Sequence, residues 1–340
     1  MSLQFDVLGI GNAIVDVIAR TEDDFLVKHG MNKGAMALID EPRAEAIYAS
    51  MGQATQSSGG SGANTIAGVA SFGARAAFVG KVKDDAPGKA FTHDIRAIGV
   101  DFSTRPASDG PSTARCYVLV TPDGERTMNT YLGAAQNLTP ADLDQAQIAS
   151  AGITYLEGYL WDPPQAKEAF RKAAQIAHGA DRMVALTLSD AFCVGRYRDE
   201  FLNLMRTGAV DLIFANESEL KSLYETSDFD AGIAALRNDV KLAVVTRSEK
   251  GCVVVSRDGN EAVAAAPIDR LVDATGAGDL FAAGFLTGLA RGQDHRNSAR
   301  LGAIAAAEVI QHLGARPQNS LKALAQDAGY TIWGASPPLM

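Results

Sequence analysis

The stretch D-A-T-G-A-G-D-L-F-A-A-G-F-L-T-G-L-A-R-G, residues 273–292, decides how the rest of the chain is read. Gly276, Ala277 and Gly278 precede an acid, Asp279, and Leu280, Phe281, Phe285 and Leu289 then recur with the three-to-four spacing of an amphipathic helix. A glycine turn therefore opens a helix. The first amides of a helix have no partner within it, and the dipole adds about half a positive charge there, so the natural ligand is an anion such as phosphate. Asp279 in the same turn does not suit a site that only holds phosphate. It is well placed to take a proton from a hydroxyl while the amides receive a transferred phosphoryl group. A second reading stays open: Thr275 and Asp279 cap the helix and complement its dipole. Gly284 and Gly288 weigh against it, because each costs about 1 kcal/mol relative to alanine in a helix interior, so something demands a close approach. Arg291 and Gly292 supply the closing charge and the stop.

Composition bounds the function. The chain has 340 residues, 47% of them hydrophobic, enough for one large core. A net charge of −9 with no basic run argues against a nucleic-acid surface. Cys116, Cys193 and Cys252 are odd in number and widely separated, which suits reduced thiols. The start lacks the basic and long apolar runs of a signal, and no stretch reaches the roughly 18 apolar residues of a membrane span, so a cytoplasmic protein is expected. The five histidines show no metal-ligand spacing.

From the N-terminus, an apolar run over residues 5–10 ends in G-I-G-N-A, but Ile14 stands where a dinucleotide fingerprint needs its third glycine. V-D-V-I-A-R then alternates with period two, which predicts a strand. Asp16 projects from the face opposite Val15 and Val17, as a solvated acid or as a ligand. A short strand is expected at residues 35–40, with a helix starting at Glu41 and Pro42. S-S-G-G-S-G-A-N-T-I-A-G-V-A-S-F-G, residues 57–73, reads as a glycine-rich loop, or a linker, that becomes a small-residue helix leading to a strand at 76–80. A-R-C-Y-V-L-V-T and R-T-M-N-T-Y-L flank P-D-G-E as a hairpin. Beyond Pro140, strands at 153–156, 183–188, 212–215, 242–246 and 252–256 alternate with helices at 164–178, 196–205 and 217–224. This gives a mostly parallel sheet covered on both faces, with ligands at the C-terminal strand ends. Three segments lie at such ends: E-G-Y-L-W-D, whose Tyr159 and Trp161 are core aromatics or a platform for a base; A-N-E-S-E-L; and V-V-T-R-S-E-K-G. A further long helix is expected from 296 to 313.

D-A-T-G-A-G-D resembles the C-terminal signature of the ribokinase-like carbohydrate and nucleoside kinases, the PfkB family. Residues 57–73 resemble the family's N-terminal signature, with the strand-end pattern N-x-x-E between the two. The resemblance implies a three-layer α/β/α ribokinase-like fold with a mostly parallel central sheet and a small β-sheet lid. The core would take residues 1–12, 41–102 and 133–340, and the lid 13–40 and 103–132. Asp279 would be the catalytic base, and Gly276, Ala277 and Gly278 the anion hole. Asn12 and Asp16 match the positions that bind the sugar, where a carboxylate accepts from both members of a vicinal diol. Gly59, Gly60, Ser61 and Asn64 match positions that contact substrate hydroxyls. Arg126 matches a lid arginine that closes over the transferring phosphate. Asn216 and Glu219 are implied at magnesium and phosphate, Glu219 reaching Mg²⁺ through water, although Asn216 equally suits a helix N-cap. Thr246, Arg247 and Gly251 fall on the family's T-L-G-x-x-G loop for the ATP phosphates. Arg247 and Ser248 replace its Leu and first Gly, which leaves that backbone geometry open.

The expected activity is ATP- and Mg²⁺-dependent phosphorylation of a small molecule by a monomer or homodimer. G-N-A-I-V-D, G-G-S-G-A-N, Tyr159 and Trp161 resemble the adenosine kinases most, which implies the 5′-hydroxyl of adenosine or a related purine nucleoside. A sugar kinase for ribose, fructose or a keto-deoxy acid is the alternative, and a non-catalytic nucleoside or ATP sensor a third. An apolar slot beside the sugar ligands would mark a nucleoside site, and extra Arg or Lys a sugar acid.

Overall fold

Strands and helices follow one another in the computed structural model, which describes residues 2–331. The outermost residues of the expected core segments, 1 and 332–340, lie outside that range. The strands are β1 (Phe5–Ile10), β2 (Ile14–Arg20), β3 (Met36–Leu38), β4 (Ala54–Gly59), β5 (Ala76–Val79), β6 (Val100–Asp101), β7 (Ala114–Val120), β8 (Arg126–Tyr131), β9 (Ala151–Glu157), β10 (Met183–Thr187), β11 (Leu212–Asn216), β12 (Leu242–Thr246), β13 (Cys252–Ser256) and β14 (Gly259–Val263). The helices are α1 (Asp23–Lys28), α2 (Glu41–Ser50), α3 (Ser61–Ser71), α4 (Ala86–Ala97), α5 (Gln145–Ala149), α6 (Pro164–Gly179), α7 (Ala191–Arg206), α8 (Glu217–Leu223), α9 (Phe229–Asp239), α10 (Ala277–Ala290), α11 (His295–Val309) and α12 (Leu321–Asp327).

Nine strands form the large sheet in the order β14-β13-β12-β11-β10-β9-β1-β5-β6. It is parallel from β6 to β12 and antiparallel at β13 and β14. Its central strands, β1 and β9 among them, are buried along nearly their whole length because helices cover both faces. Val7 packs in one cluster with Ile66, Phe78 and Phe285, while its neighbour Leu8 packs in the other with Phe170 and Phe201. This is the three-layer α/β/α arrangement, with a smaller second sheet beside it.

That second sheet has the order β3-β8-β7-β2-β4. Its fifth strand corrects the sequence reading. A-T-Q-S-S-G lies in the expected core segment 41–102, with its end in the expected glycine-rich loop. It becomes a strand only by antiparallel pairing with β2, Ala19 opposite Ala54 and Ile14 opposite Gly59. Helix α2 also packs on this sheet, against β7 and β8, with Asp40 accepting from the Arg43 N–H at its start. The chain therefore leaves the small sheet after residue 59, not after 40. The crossing falls at Gly60, whose φ is +95° and where a Cβ would come within 2.2 Å of the Asn12 carbonyl oxygen, so only glycine fits.

The glycines inside α10 prove to be packing residues. A Cβ at Gly284 would lie 2.4 Å from the Leu301 carbonyl oxygen, and one at Gly288 would lie 2.8 Å from the Ser298 Cα, both on α11. The close approach is made to a neighbouring helix, so these glycines do not bear on the chemistry. On the other side, a Cβ at Gly68 of α3 would lie 2.6 Å from that of Ala283. Helix α10 is thus gripped between α3 and α11, and the first turns of α3 and α10 meet.

Candidate active site

Helix α10 begins at Gly276, which takes the left-handed conformation (φ +80°) and lends no side chain as a cap. The capping reading of Thr275 and Asp279 therefore fails. Asp279 turns onto α3, where Oδ1 accepts from Ser61 Oγ (2.7 Å) and Oδ2 from Asn64 Nδ2 (3.1 Å). The Ala277 N–H donates to the Ala274 carbonyl at 3.2 Å, while among the described residues those of Gly276, Gly278 and Asp279 have no acceptor. The three free donors are not the three expected: Ala277 has its N–H committed within the turn, and Asp279 contributes its own. A Cβ at Gly278 would meet nothing within 4 Å and its φ is ordinary, so neither backbone nor packing requires glycine there.

Asp16 leans over Gly59, where a Cβ would come within 2.2 Å of Asp16 Oδ2. Burial pushes its carboxyl up to about 6, against the pull of Arg316 and Arg126 and with a further push from Asp279. Burial also raises Asp279, offset by Ser61, Asn64 and Arg316. The two acids, far apart in sequence, share one electrostatic neighbourhood.

Two further residues, Glu157 and Arg316, belong to this neighbourhood. Glu157, buried at the end of β9, accepts from the Asn12 N–H (3.1 Å), Asn12 Nδ2 (2.6 Å) and the Gly62 N–H (2.7 Å). Among the described residues it leaves Asn12 Oδ1 without a donor, and Asn64 Oδ1 is likewise buried and unpartnered. Two idle buried acceptors beside two carboxylates suit a ligand bearing hydroxyls, because an unmade buried hydrogen bond costs about 1–3 kcal/mol. Arg316, on the loop after α11, reaches back to donate to Ser58 Oγ at 3.0 Å. That loop is held by Asp273, which accepts from the Gly314 N–H (3.0 Å), and by Glu308, which accepts from the N–H groups of Gln318 (3.0 Å) and Asn319 (2.8 Å). Glu157 stood in view in E-G-Y-L-W-D; nothing local marked Arg316.

Arg126 pairs with Asp273, both nearly buried, which ties the small sheet to the turn before α10. Asp16 and Arg126 lie on one face of that sheet, since Asp16 pairs with Cys116 and Arg126 with Val120. The same face carries Ile14, Ile18, Val118 and Met128, and at its edge Met36 and Leu38, 48% and 56% exposed. A cleft of about 540 Å³ opens at that edge, bordered by Met36, Leu38 and Met128 but not by Asp16 or Asp279.

The expected aromatic pair separates. Trp161 is fully buried against Phe170 and Phe201 with its Nε1 donating to Glu200 (3.0 Å), so it is core. Tyr159 keeps an exposed side, and its N–H donates to Ser189 Oγ at 3.0 Å.

At the next strand ends, Asn216 and Glu219 form a reciprocal cap on α8, Asn216 Oδ1 accepting from the Glu219 N–H (2.9 Å) and Glu219 Oε2 from the Asn216 N–H (3.0 Å). The second Glu219 oxygen accepts from the Asn216 amide. Burial and Asp190 push Glu219 up to about 7. Among the described residues no group of three or more His, Cys, Asp or Glu could cage a metal. Thr246 Oγ1 lies 3.5 Å from the Ala215 carbonyl. Arg247 faces the protein, donating to Glu217 (2.9 Å) over the Phe229 ring (3.8 Å), so its charge is already matched. Gly251, at φ +81°, would place a Cβ 2.0 Å from the Val263 carbonyl oxygen, and Ser248 adopts φ +52°. The loop thus keeps a left-handed residue where a family glycine is replaced. We expect Ser248→Val to lower stability by about 1–2 kcal/mol, since a branched Cβ resists that conformation, and Ser248→Gly to be neutral or slightly stabilising. The urea midpoints of the two variants check this.

The raised acids also set a pH dependence. Asp16 at about 6 and Glu157 and Glu219 at about 7, all pushed up chiefly by burial, bind protons more tightly folded than unfolded. Their stabilising contribution is complete below about pH 4 and is lost as pH rises through 6 and 7, by up to about 1.4 kcal/mol per pH unit for each group. Carboxylates with lowered values oppose this only at lower pH, among them Asp6, where Arg75 and Arg291 outweigh burial, and Glu217, held at about 2 by Lys221 and Arg247; His29, lowered by burial, Lys28 and Arg43, opposes it near pH 6 as a single group against three. The urea midpoint should therefore fall from pH 5.5 to about 7 and level off towards 8; a profile that is flat or rising between 5.5 and 7 refutes the assignment.

Residues 34–322 match the family model described as pfkB family carbohydrate kinase. The adenosine kinase of Sinorhizobium meliloti is similar in structure, with a TM-score of 0.89 and 55% identity over 96% of this chain and 99% of that one. A probable sugar kinase from Rhizobium etli CFN 42 has a TM-score of 0.90 and 51% identity over 96% and 99%. In sequence, the adenosine kinase of Saccharomyces cerevisiae is 28% identical over 328 residues, 90% of this chain and 94% of that protein.

Proposed function

Because the chain belongs to the pfkB family of carbohydrate kinases, we propose that it transfers the γ-phosphoryl group of ATP to the 5′-hydroxyl of adenosine or a related purine nucleoside. The observation that carries the nucleoside reading is the apolar face of Ile14, Ile18, Cys116, Val118 and Met128 running alongside Asp16. A sugar acid would call for surplus positive charge. Arg126 and Arg316 are instead matched by four carboxylates, those of Asp16, Asp94, Asp273 and Asp279. Similarity to the Sinorhizobium enzyme supports the same reading.

In this mechanism Asp16, with Asn12 and Asn64, holds the ribose hydroxyls, and the main chain at Gly59 and Gly60 lets the sugar approach. Asp279 takes the proton of the acceptor hydroxyl. The oxygen of that hydroxyl forms a bond to the γ-phosphorus as the bond to the bridging oxygen breaks and ADP leaves. The free N–H groups of Gly276, Gly278 and Asp279 stabilise the charge on the transferring group, and Arg126 joins them once it exchanges Asp273 for phosphate. Thr246 and Gly251 border the ATP phosphates, and Tyr159 flanks the acceptor site. Magnesium would come with the triphosphate and Glu219 would hold it through water; bound, it would neutralise phosphate charge. The protein would act in the cytoplasm, consistent with three free, buried thiols, and serve purine salvage.

The test is ATP consumption with adenosine, inosine, guanosine, ribose, fructose and a keto-deoxy sugar acid. Adenosine should give the highest kcat/KM. A free sugar in first place would replace the nucleoside reading, and ligand binding with no turnover on any substrate would replace both with a sensor.

A further inference from the structure

Arg316 has more hydrogen-bonding capacity than the protein uses. Its Nη2 donates to Ser58 Oγ, and among the described residues Nε is buried without an acceptor and no carboxylate lies within ion-pair distance. A guanidinium has five N–H donors, and leaving the buried Nε–H unmade beside buried carboxylates is costly unless a ligand arrives. Its aim is set from both sides. Ser58 gives its N–H and Oγ–H to Asp94 (2.7 and 2.5 Å), which leaves an Oγ lone pair to receive Arg316, and Gly314 and Asn319 pin the loop that carries it. The next residue along β4 is Gly59, over which the Asp16 carboxylate leans. Asp16, Asp94 and Asp279 are the acids that act on the guanidinium, so a negatively charged ligand would find its charge already answered.

We propose that Arg316 is a specificity-determining residue that works opposite Asp16: the carboxylate accepts protons from a vicinal diol, and the guanidinium donates to the oxygen of one of those hydroxyls. A hydroxyl is both donor and acceptor, so the acid alone reads only half of it; the pair reads all of it. This rests on the nucleoside reading above, and it assigns to Arg316 the preference for ribose over deoxyribose.

The experiment compares the full-length wild type with Arg316→Met and Arg316→Lys on adenosine, 2′-deoxyadenosine and 3′-deoxyadenosine, with KM for ATP measured in parallel. Arg316→Met should lose about 10–100-fold in kcat/KM for adenosine, mostly through KM, as expected for a hydrogen bond to a charged group. One of the two deoxy analogues should change little, so the wild-type discrimination against it collapses, and Arg316→Lys should restore part of it. An equal loss on all three nucleosides, or a loss expressed in KM for ATP, overturns the proposal in favour of a structural or phosphate-directed role. If Arg316→Met does not fold, the same ratio in Arg316→Lys decides. Failure of the wild type to use adenosine would instead sink the nucleoside reading, which keeps the two outcomes apart.

Discussion

Replacing Asp279 with Asn should lower kcat by roughly 10²–10⁴-fold, the usual worth of a positioned general base, while nucleoside and ATP still bind. The substitution keeps shape and removes only the ability to accept a proton. Ser61 Oγ can still donate to the remaining carbonyl oxygen. The new amide would face Asn64 Nδ2, donor against donor, but Asn64 has an unpartnered Oδ1 and can turn it inward. The fold should therefore survive, and loss of a buried, repelled charge offsets the altered contact. Steady-state kinetics with calorimetric binding of adenosine check this; a variant within tenfold of wild-type kcat would show that another group takes the proton.

Gly278→Ala should give a protein at least as stable as the wild type and about 10²–10³-fold slower. The first half follows from the open space around the new methyl and from alanine's advantage of about 1 kcal/mol over glycine in a helix. The second follows because the new methyl would fill the open space beside the free N–H groups of Gly276, Gly278 and Asp279 and hold the phosphoryl group off one of them, and depriving a developing charge of one donor costs a rate factor of that size. Gly276→Ala makes the contrast: it forces alanine to φ +80° with its Cβ 2.8 Å from the Ala315 Cα, so it should destabilise by about 1–3 kcal/mol. Thermal melts and kcat/KM on the two variants separate the roles. A Gly278→Ala enzyme with normal turnover would remove this helix start from the chemistry.

The glycine turn, the period-two strand bearing Asp16, the D-G hairpin and the strand-helix alternation were legible in the chain because each arises from residues a few positions apart, through backbone sterics or through one face turned to a core. The same local logic misread Gly284 and Gly288, whose reason is α11; Arg247, placed at the ATP phosphates by the family resemblance, is held by Glu217 and Phe229.

By itself, then, the sequence determined the layered α/β class, the helix start with its acid, and the identity of most residues that gather around it. Tertiary structure alone made a strand of the polar segment 54–59, assigned Glu157 to orient Asn12, and brought Arg316 to a serine 258 positions away. Such contacts join residues with no shared periodicity or turn. They form only once helices α3, α10 and α11 close on one another, and the burial that closure produces is also what raises the acids and leaves the guanidinium short of partners.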